Sequence, residues 1–567
     1  MNSRRSRQRW DVRVLFGLIV SAGVAGCGGG GSGSAAVVGG RSCAEMAGLT
    51  VSASDIGLAT QGAKVTGATS IAASGTGSTA VGAFCRVTAE IAPVDTTASP
   101  IKMEVNLPET WNGKALMFGG GGLNGSILST AGTIRLQPAN VAIPLGRGYV
   151  TFGSDSGHSG TTSDGTFARN DEMLRNYAYE ALKKTKDVAT KLVSVRYGKA
   201  PDKLYFHGSS NGGKEAMAMI QRYPNDIDAA MIFWPATMFG TAQVQWARIS
   251  KAFAQPGAYL SMAKRKLVLD AAMSVCDGLD GVTDGLISNP KACQTSFDPS
   301  TANYAGKPVR CASGTDEGDS CLSDAQIMAL KTMATPMTFS YPLGSGETQF
   351  PGYSVWGMDL GAKTSDSVSS TVTQQGLGSI APTYPAAANM PYLHIITEQY
   401  IKYFVARDSN ASWATVDPAN PVPYVDRISQ LTALLDQPKT DLSEFYMRGG
   451  KIILLHGNSD QLIPYEASED YYRRVVAKMG SGVVNSFMKF YELPGTAHSG
   501  VGTSFTPTWD VLGALDTWVS TGQAPVAPVI TDTYAVPGRT RPLCEYPQYP
   551  RYQSGNVNSA TSFTCVN

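Results

Sequence analysis

The feature that most constrains the fold is a strand, a sharp turn and a helix that follow one another directly in residues 203–224. The apolar run "KLYFHG" (203–208) is typical of a buried strand, and "GGKEAMAMIQRYP" (212–224) has the pattern of a helix that ends at proline. Between them, "HGSSNGG" (207–213) places two adjacent serines among glycines. Such a unit predicts a parallel sheet with helices packed against it.

Strands and helices alternate on both sides of this turn, but the alternation is interrupted once. It covers the strand-like runs at 114–118, 148–158 and 227–236 and a long amphipathic helix at 171–198, and it resumes over 449–522. Residues 238–444 are irregular and rich in Gly, Ser and Thr, with helical pieces at 323–333 and 395–406. We therefore predict one α/β domain, formed by residues 43–237 and 445–567, with an inserted domain at 238–444.

The N-terminus has the pattern of an export signal. Five arginines precede the apolar run "VLFGLIVSAGVA" (14–25), which is too short for a permanent membrane helix: Arg4, Arg5, Arg7, Arg9 and Arg13. The run leads into "VAGC", which resembles a bacterial lipobox, so residues 1–27 are interpreted as a signal peptide and Cys27 as the lipidated residue. The alternative is an ordinary cleaved signal with a chance cysteine. The stretch "GGGGSGS" favours the lipoprotein, with residues 28–42 as a flexible linker.

These features define the expected location and partners. An exported chain of this kind is an outer-membrane lipoprotein at the periplasmic or cell surface, or a secreted protein, and it meets the membrane only through the lipid anchor. The 46 basic and 45 acidic residues give a net charge of +1. Since no basic field covers the chain, a nucleic-acid partner is not expected.

Eight cysteines remain once Cys27 is set aside, and an even number fits four disulfides in an oxidising compartment. Eight cysteines allow 105 pairings, so the count alone does not choose between them. Their spacing favours neighbours, which leaves the first two as a pair: Cys276 with Cys293, Cys311 with Cys321, Cys544 with Cys565, and Cys43 with Cys85.

Ser210 stands at the centre of a G-x-S-x-G pattern in residues 208–212. The strand before it and the helix after it are the context of a nucleophile elbow, whereas a plain Gly/Ser turn is the alternative. A serine hydroxyl needs a base and a group that orients the base. Asp460 follows the strand "ILLHG" and His498 lies in "ELPGTAHSG", so acid and base follow the serine in α/β-hydrolase order. This order favours a triad over a capping aspartate and a loop histidine.

Two backbone N–H groups are expected to bind the oxyanion of an acyl-transfer reaction. One is that of Asn211, directly after the nucleophile, and the other comes from "GGGGLNG" (119–125), where glycines let the backbone approach a substrate. A flexible loop without a role is the alternative. His456, four residues before Asp460, is interpreted as a packed or supporting histidine.

A second cluster, "CDGLDGVTDGLISNPKAC" (276–293), predicts a metal site. Asp277, Asp280 and Asp284 lie in a short loop punctuated by glycines, and closely spaced carboxylates suit a hard cation such as Ca²⁺. The alternative is an Asp/Gly turn without an ion. We expect Ca²⁺ to be structural, since the candidate triad lies elsewhere.

Several motifs together resemble the tannase/feruloyl esterase family, which includes mono(2-hydroxyethyl) terephthalate hydrolases. The resemblance covers residues 43–567 and rests on these segments: "ETWNGKALMFGGGGLNGS", "YFHGSSNGGKEAM", "CDGLDGVTDGLISNPKAC", "LLHGNSD", "LPGTAHSG" and "RTRPLCEYPQYPRY". It implies an α/β-hydrolase fold whose catalytic domain carries a large lid, here residues 238–444. It also implies the triad Ser210–Asp460–His498, a second oxyanion N–H at Gly122, and calcium ligation by the three aspartates with the carbonyls of Val282 and Leu286. The four disulfide pairs match those of the family.

One departure from the family pattern concerns the neighbours of the nucleophile and the base. The family usually has cysteines directly before the serine and after the histidine, and they form a disulfide. Here these positions are Ser209 and Ser499. A disulfide across so long a loop is worth about 3–5 kcal/mol in the chain-entropy model. We expect a Ser209–Ser499 hydrogen bond, worth about 1 kcal/mol, to replace it in part.

The lid composition indicates the substrate. Hydrolysis of a terephthalate monoester would need a cation for the free carboxylate, yet no Lys or Arg lies between Lys363 and Lys402. Residues 375–400 are apolar and aromatic, and Leu462 and Ile463 are expected to line the acyl pocket. The sequence therefore favours a serine esterase for small neutral aromatic esters of the hydroxycinnamate or gallate type. The alternatives are a terephthalate-monoester or polyester-oligomer hydrolase and, from another class, a catalytically weak surface binding lipoprotein.

Overall fold

The computed structural model describes residues 40–567, which form one compact unit around a ten-stranded sheet. The predicted signal peptide, Cys27 and most of the predicted linker lie outside the described residues, so they stay predictions. Among residues 40–567, no helix combines the length and the apolar character needed to cross a membrane.

The strands fall into three groups along the chain. The first eight are β1 (Thr50–Val51), β2 (Ala63–Ile71), β3 (Phe84–Ile91), β4 (Ile101–Pro108), β5 (Lys114–Phe118), β6 (Val150–Ser154), β7 (Lys203–Ser209) and β8 (Ala229–Phe233). Four short strands follow in the predicted insertion: β9 (Asn303–Tyr304), β10 (Lys307–Pro308), β11 (Met337–Thr338) and β12 (Gln349–Phe350). The last seven are β13 (Lys451–Gly457), β14 (Met488–Leu493), β15 (Pro507–Thr508), β16 (Val529–Asp532), β17 (Thr540–Pro542), β18 (Tyr549–Tyr552) and β19 (Phe563–Val566).

The main sheet has the strand order β1-β2-β3-β4-β6-β5-β7-β8-β13-β14. The six strands from β6 to β14 in this order run parallel, whereas β1 to β4 pair antiparallel and β4 pairs antiparallel with β6. Because parallel strands end at the same edge, the loops after β5, β7, β13 and β14 meet there. This arrangement confirms the predicted α/β-hydrolase fold.

Both faces of the parallel sheet are covered. In β13, Ile452 and Leu454 belong to one buried cluster, while Ile453 and Leu455 belong to another on the opposite face. Alternate side chains of a strand point to opposite faces, so a strand apolar at every position needs cover on both sides. The continuous apolar run of the sequence therefore becomes a central strand.

Six helices belong to the two parts of the predicted catalytic domain: α1 (Asp171–Arg175), α2 (Ala181–Tyr197), α3 (Asn211–Arg222), α12 (Tyr465–Met479), α13 (Ser481–Phe487) and α14 (Val511–Thr521). A seventh, α11 (Ser443–Met447), crosses the predicted boundary between the insertion and the second part. A π-helical turn over Asn176–Glu180 joins α1 to α2. The predicted helix at 171–198 is therefore one continuous element with a π turn inside it.

Residues 238–444 hold the other seven helices: α4 (Phe239–Phe253), α5 (Met262–Cys276), α6 (Pro290–Ser296), α7 (Asp324–Ala334), α8 (Ser367–Gln375), α9 (Tyr392–Gln399) and α10 (Val425–Leu435). Helices α7 and α9 match the predicted pieces, but α4 and α5 are long helices where the sequence predicted irregular structure. In α4 the polar residues Thr241, Gln243 and Gln245 are buried. Since α4 is buried on nearly all sides, the burial of its residues does not follow their polarity. The exact domain boundaries stay a prediction.

The four disulfides form in the predicted pairs: Cys43–Cys85, Cys276–Cys293, Cys311–Cys321 and Cys544–Cys565. Each joins segments that are 10 to 42 residues apart in sequence. They tie local loops to the sheet and the insertion, which fits a chain that folds in an oxidising compartment.

Candidate active site

Ser210 lies at the sharp turn between β7 and α3, with φ 60° and ψ −122°. This conformation is strained for a residue with a side chain, and it is typical of a nucleophile elbow. A Cβ on Gly208 would collide with the carbonyl oxygen of Gly212, and a Cβ on Gly212 would lie 2.6 Å from the carbonyl oxygen of Gly120. The glycines of the motif are therefore required by the close approach of strand, helix and loop.

The structure brings the three predicted triad residues together in one hydrogen-bonded chain. His498 Nε2 lies 3.0 Å from Ser210 Oγ, and His498 Nδ1 lies 2.8 Å from Asp460 Oδ2. Asp460 and His498 are buried, and the other carboxylate oxygen of Asp460 accepts the backbone N–H groups of Leu462 and Ile463 at 2.8 Å. These contacts fix the carboxylate behind the imidazole, as a serine hydrolase requires.

His456 supports the acid from the other side. Its Nε2 lies 3.3 Å from Asp460 Oδ2 and 3.0 Å from the carbonyl oxygen of Ile463, and its Nδ1 lies 2.8 Å from Ser468 Oγ. Burial tends to raise the pKa of Asp460, but the two histidines, His498 above all, hold that pKa below its usual range. The prediction of a supporting histidine agrees with this position.

The predicted oxyanion donors face the same cleft. Gly122 and Asn211 line a cavity together with Ser210 and His498. Within residues 40–567, neither the Gly122 N–H nor the Asn211 N–H donates to a protein acceptor. Gly122 has φ 55°, and a Cβ there would lie 2.6 Å from the Tyr392 hydroxyl. A free N–H pair beside the nucleophile is the arrangement that stabilises a tetrahedral oxyanion.

A buried carboxylate that the sequence analysis missed holds this oxyanion loop in place. Glu215 accepts the backbone N–H of Gly120 at 2.8 Å and the side-chain amides of Asn124 and Asn211 at 2.5 and 3.2 Å. Tyr177 adds a second link, because its hydroxyl donates to the carbonyl of Gly122 or the amide oxygen of Asn211 at 3.2 and 3.1 Å. The adjacent charged residues Lys214 and Glu215, directly before the apolar run of α3, are the sequence signal that could have found Glu215.

The prediction of a hydrogen bond between Ser209 and Ser499 is wrong, because the two hydroxyls bind other side chains. The Ser209 hydroxyl accepts from Arg135 Nε at 3.3 Å, whereas the Ser499 hydroxyl accepts from the Gln375 amide at 2.5 Å. Arg135 also donates through Nη1 to the Ser499 carbonyl oxygen at 3.4 Å. The two positions are therefore connected through the Arg135 guanidinium, because each hydroxyl accepts a hydrogen bond from another side chain.

Two clefts open on Ser210. The inner cleft is mainly apolar and includes the predicted acyl-pocket residues Leu462 and Ile463: Gly122, Ser210, Asn211, Ala236, Phe239, Trp246, Tyr392, Ile396, Leu462, Ile463 and His498. The outer cleft is more polar, with a volume of about 270 Å³, and its own side chains include Arg135, Ser209, Gln374, Gln375 and Ser499. Ser210 and His498 line both clefts, so a substrate bonded at Ser210 can reach into each of them.

The lid composition predicted that no cation lies near the substrate pocket. The segment between Lys363 and Lys402 does lack Lys and Arg. Arg135, however, reaches the cleft from the loop between β5 and β6 of the catalytic domain. Its position could not be foreseen from lid composition, because the sheet topology brings this loop to the edge where the lid lies.

The three aspartates of the predicted calcium loop lie near one another, but their oxygens do not all point to one common site. Asp277 accepts the backbone N–H groups of residues 284–286 at 3.0–3.2 Å. Asp280 Oδ2 and Asp284 Oδ1 are buried and have no hydrogen-bond partner among the described residues, and burial raises the pKa of Asp280 to about 6. These two orphaned oxygens fit a cation. The Arg541 guanidinium contacts the other oxygen of Asp284 and competes for that residue.

The fold is that of an α/β-hydrolase, and Ser210, His498 and Asp460 have the hydrogen-bonded geometry of a Ser–His–Asp triad. The chain belongs to the family described as tannase and feruloyl esterase, whose model matches residues 85–566. It is therefore a carboxylic ester hydrolase, and the predicted resemblance is confirmed.

Individual relatives extend over nearly the whole chain. An uncharacterized esterase of Agrobacterium fabrum is 36% identical, covering 92% of this chain and 93% of the relative. The mono(2-hydroxyethyl) terephthalate hydrolase of Piscinibacter sakaiensis is 31% identical, covering 85% of this chain and 84% of the relative. The crystal structure of feruloyl esterase B from Aspergillus oryzae superposes with a TM-score of 0.72 at 23% identity, covering 89% of this chain and 97% of that structure.

Proposed function

We propose that this protein hydrolyses esters of small neutral aromatic acids, of the hydroxycinnamate or gallate type, through an acyl-enzyme on Ser210. The observation that carries the proposal is the Ser210–His498–Asp460 chain of hydrogen bonds, which opens on a mainly apolar cleft. Relatives described as probable feruloyl esterases, one of them 30% identical over 485 residues, support this substrate class.

The reaction begins with attack of Ser210 Oγ on the ester carbonyl. His498 Nε2, at 3.0 Å, takes the hydroxyl proton, while Asp460 keeps the ring oriented and stabilises the imidazolium. The carbonyl oxygen becomes an oxyanion that the N–H groups of Gly122 and Asn211 bind. His498 then gives the proton to the leaving alcohol, and the acyl group stays bonded to Ser210 until water, deprotonated by the same histidine, releases the acid.

The inner cleft is assigned to the acyl group. Phe239, Trp246, Ile396 and Leu462 give it an apolar lining, which suits an aromatic ring. Because the free space of about 20 Å³ is smaller than such a ring, the lid side chains, Ile396 among them, must move apart when the substrate binds.

The test is an assay of the wild type and Ser210→Ala on methyl ferulate, methyl gallate, a p-nitrophenyl ester and a terephthalate monoester. We expect the wild type to prefer the neutral aromatic methyl esters and Ser210→Ala to lose at least about 10³-fold in kcat. Equal activity of the two proteins would refute the serine mechanism. If the wild type and Ser210→Ala were both inactive, the result would favour the alternative of a surface binding protein. Turnover mainly of the terephthalate monoester would replace the proposed substrate class.

A terephthalate monoester or a polyester oligomer is the second candidate substrate. Two observations favour it: the 31% identical relative acts on mono(2-hydroxyethyl) terephthalate, and Arg135 lines the outer cleft. A guanidinium can bind a carboxylate in a bidentate fashion. The substrate panel separates the two candidates directly.

We also propose a structural Ca²⁺ in the loop after α5. Its ligands would be the carboxylates of Asp277, Asp280 and Asp284 and the carbonyls of Val282 and Leu286. When bound, the cation would neutralise clustered negative charge and hold the loop beside the Cys276–Cys293 disulfide. Full ligation would require Asp284 to turn away from Arg541, since the three carboxylates do not all lie within 4.8 Å of one another.

We also propose that the protein is exported and is anchored to the membrane by a lipid on Cys27. Four disulfides support an oxidising compartment. Mass spectrometry of the membrane-associated protein, compared with a Cys27→Ser variant, tests the anchor. Release of the wild type without any lipid mass would contradict it.

A further inference from the structure

We infer that Arg135 binds a carboxylate on the alcohol portion of the substrate, so that the preferred esters join an aromatic acid to a hydroxy acid. This inference rests on the proposed function, because it assigns the second half of the same substrate. It begins from the outer cleft, which shares Ser210 and His498 with the apolar inner cleft but has a more polar lining of its own.

Arg135 is an exposed cation in this cleft that lacks an acidic partner. Its guanidinium contacts only neutral oxygens, the Ser209 hydroxyl at 3.3 Å and the Ser499 carbonyl at 3.4 Å. Within residues 40–567, no carboxylate lies within ion-pair distance of it, whereas other arginines of this part of the chain do have one, such as Arg147 with Asp510 at 2.8 Å. An uncompensated guanidinium beside a nucleophile attracts an anionic group of the substrate.

The backbone of Arg135 is held in place by the strand that carries the nucleophile. Its N–H donates to His207 Nε2 at 3.1 Å, and His207 lies at the end of β7, three residues before Ser210. The next residue, Leu136, is buried and accepts the N–H of Trp509 at 2.7 Å through its carbonyl. The guanidinium therefore projects from a fixed backbone, as a group that recognises substrate must.

The proton path decides which half of the ester meets Arg135. His498 gives its proton to the leaving alcohol, so the alcohol must lie beside the imidazole. Ser499, directly after His498, contributes its carbonyl to the Arg135 contact and lines the outer cleft. The acyl group, which stays on Ser210, has the apolar inner cleft. The carboxylate therefore belongs to the alcohol.

The surroundings of Arg135 complete an anion-binding surface. Gln375 donates its amide to the Ser499 hydroxyl, which leaves that hydroxyl hydrogen free to donate. The Ser209 hydroxyl, which accepts from Arg135, is also free to donate its hydrogen. A substrate carboxylate could replace the two long contacts of Arg135 with Ser209 and Ser499. It would then accept hydrogen bonds from the guanidinium and from both serine hydroxyls.

The test uses 4-(feruloyloxy)butanoate and 4-(feruloyloxy)butanamide, which share the acyl group and differ only in the charge of the alcohol portion. We expect the ratio of kcat/KM for the butanoate to that for the butanamide to fall about 10-fold in Arg135→Gln, mainly through KM. In Arg135→Lys, part of the wild-type preference for the butanoate should be retained. Raising the salt to about 0.5 M should narrow the wild-type ratio. Arg551→Gln, which removes an exposed arginine of β18, is the matched control and should leave the ratio unchanged.

An unchanged ratio in Arg135→Gln overturns the inference. So does a selective loss on monomethyl terephthalate relative to methyl 4-carbamoylbenzoate, because it would show that the cation recognises the acyl half. A merely structural role of Arg135 would lower both activities of a pair together and leave the ratio as it was. Failure of the proposed function is separate, since it would appear as the lack of any Ser210-dependent turnover of the butanamide.

Discussion

The carboxylate of Glu215 accepts the backbone N–H of Gly120 at 2.8 Å, two residues before the predicted oxyanion donor Gly122. The same carboxylate binds the side-chain amide of Asn211, the residue that supplies the other donor. Burial raises the pKa of Glu215, while the charge of Lys214 and the three N–H contacts stabilise the ionised carboxylate in place of water. One buried group thus links the two segments that carry the predicted oxyanion donors.

Replacing Glu215 should therefore reduce catalysis more than binding. We expect Glu215→Ala to lower kcat about 10²-fold with little change in KM, because a misplaced oxyanion donor weakens the transition state specifically. Glu215→Gln should lose less, since its amide oxygen can still accept one of the three N–H groups. Steady-state kinetics on methyl ferulate measures both, and circular dichroism controls for folding. A rise in KM at unchanged kcat would show that Glu215 shapes the cleft instead.

A second prediction concerns the tie between the nucleophile and base loops. In Ser209→Cys/Ser499→Cys, a disulfide should form and replace the contacts that run through Arg135. The chain-entropy model gives about 3–5 kcal/mol for such a cross-link, so the melting temperature should rise by several degrees. Each single-cysteine variant is the matched control. Intact-mass analysis that finds two free thiols in the double variant would show that the two loops lie too far apart to be bridged.

The sequence predicted the parallel core of the fold because its strands are buried on both faces. Runs such as Lys451–Gly457 are apolar at successive positions, and the intervening helix α2 has a clear apolar stripe. The insertion was harder to predict, because α4 is buried on nearly all sides and carries buried Thr241 and Gln243. Thr241 donates to Asp436, which is distant in sequence, whereas Gln243 is enclosed without a hydrogen-bond partner among the described residues. No local sequence pattern records either environment.

The same distinction applies to the site. The triad could be predicted because each member follows a strand of the sheet in a recognisable motif, and the topology requires those strand ends to meet. Arg135 and Glu215 carry no such motif. Arg135 comes from a loop far from Ser499 in sequence, and Glu215 is recognised only once its three N–H partners are in place. Roles that depend on long-range contacts become visible only in the folded chain.

The calcium proposal makes a prediction about stability. A chelator should lower the melting temperature of the wild type by several degrees, because Asp280 and Asp284 would be left with buried, unpaired oxygens. Asp280→Asn removes one of these charges, so this variant should melt lower without chelator and respond less to it. Differential scanning fluorimetry with and without added Ca²⁺ measures both effects. Identical curves for the wild type in chelator and in Ca²⁺ would contradict a structural ion.

The last prediction concerns pH and three neighbouring glutamates at α12 and β14. The Glu466 carboxyl has an oxygen that is shielded from solvent and has no partner among the described residues, and burial together with Glu469 raises its pKa to about 8. Burial and Glu469 likewise raise the pKa of Glu492. Lys291 is paired with Glu469 and partly offsets the negative charge of the cluster.

Because the folded-state pKa of Glu466 lies above its unfolded value, the folded protein binds the proton more tightly. The resulting stabilisation is complete below about pH 4.5 and is lost as the pH rises towards about 8. The melting temperature should therefore fall between about pH 5 and pH 8 in the wild type. In Glu466→Gln, which cannot ionise, this slope should be reduced. The exposed Glu444→Gln is the control and should keep the wild-type slope, and an equal slope in all three proteins would refute the role of Glu466.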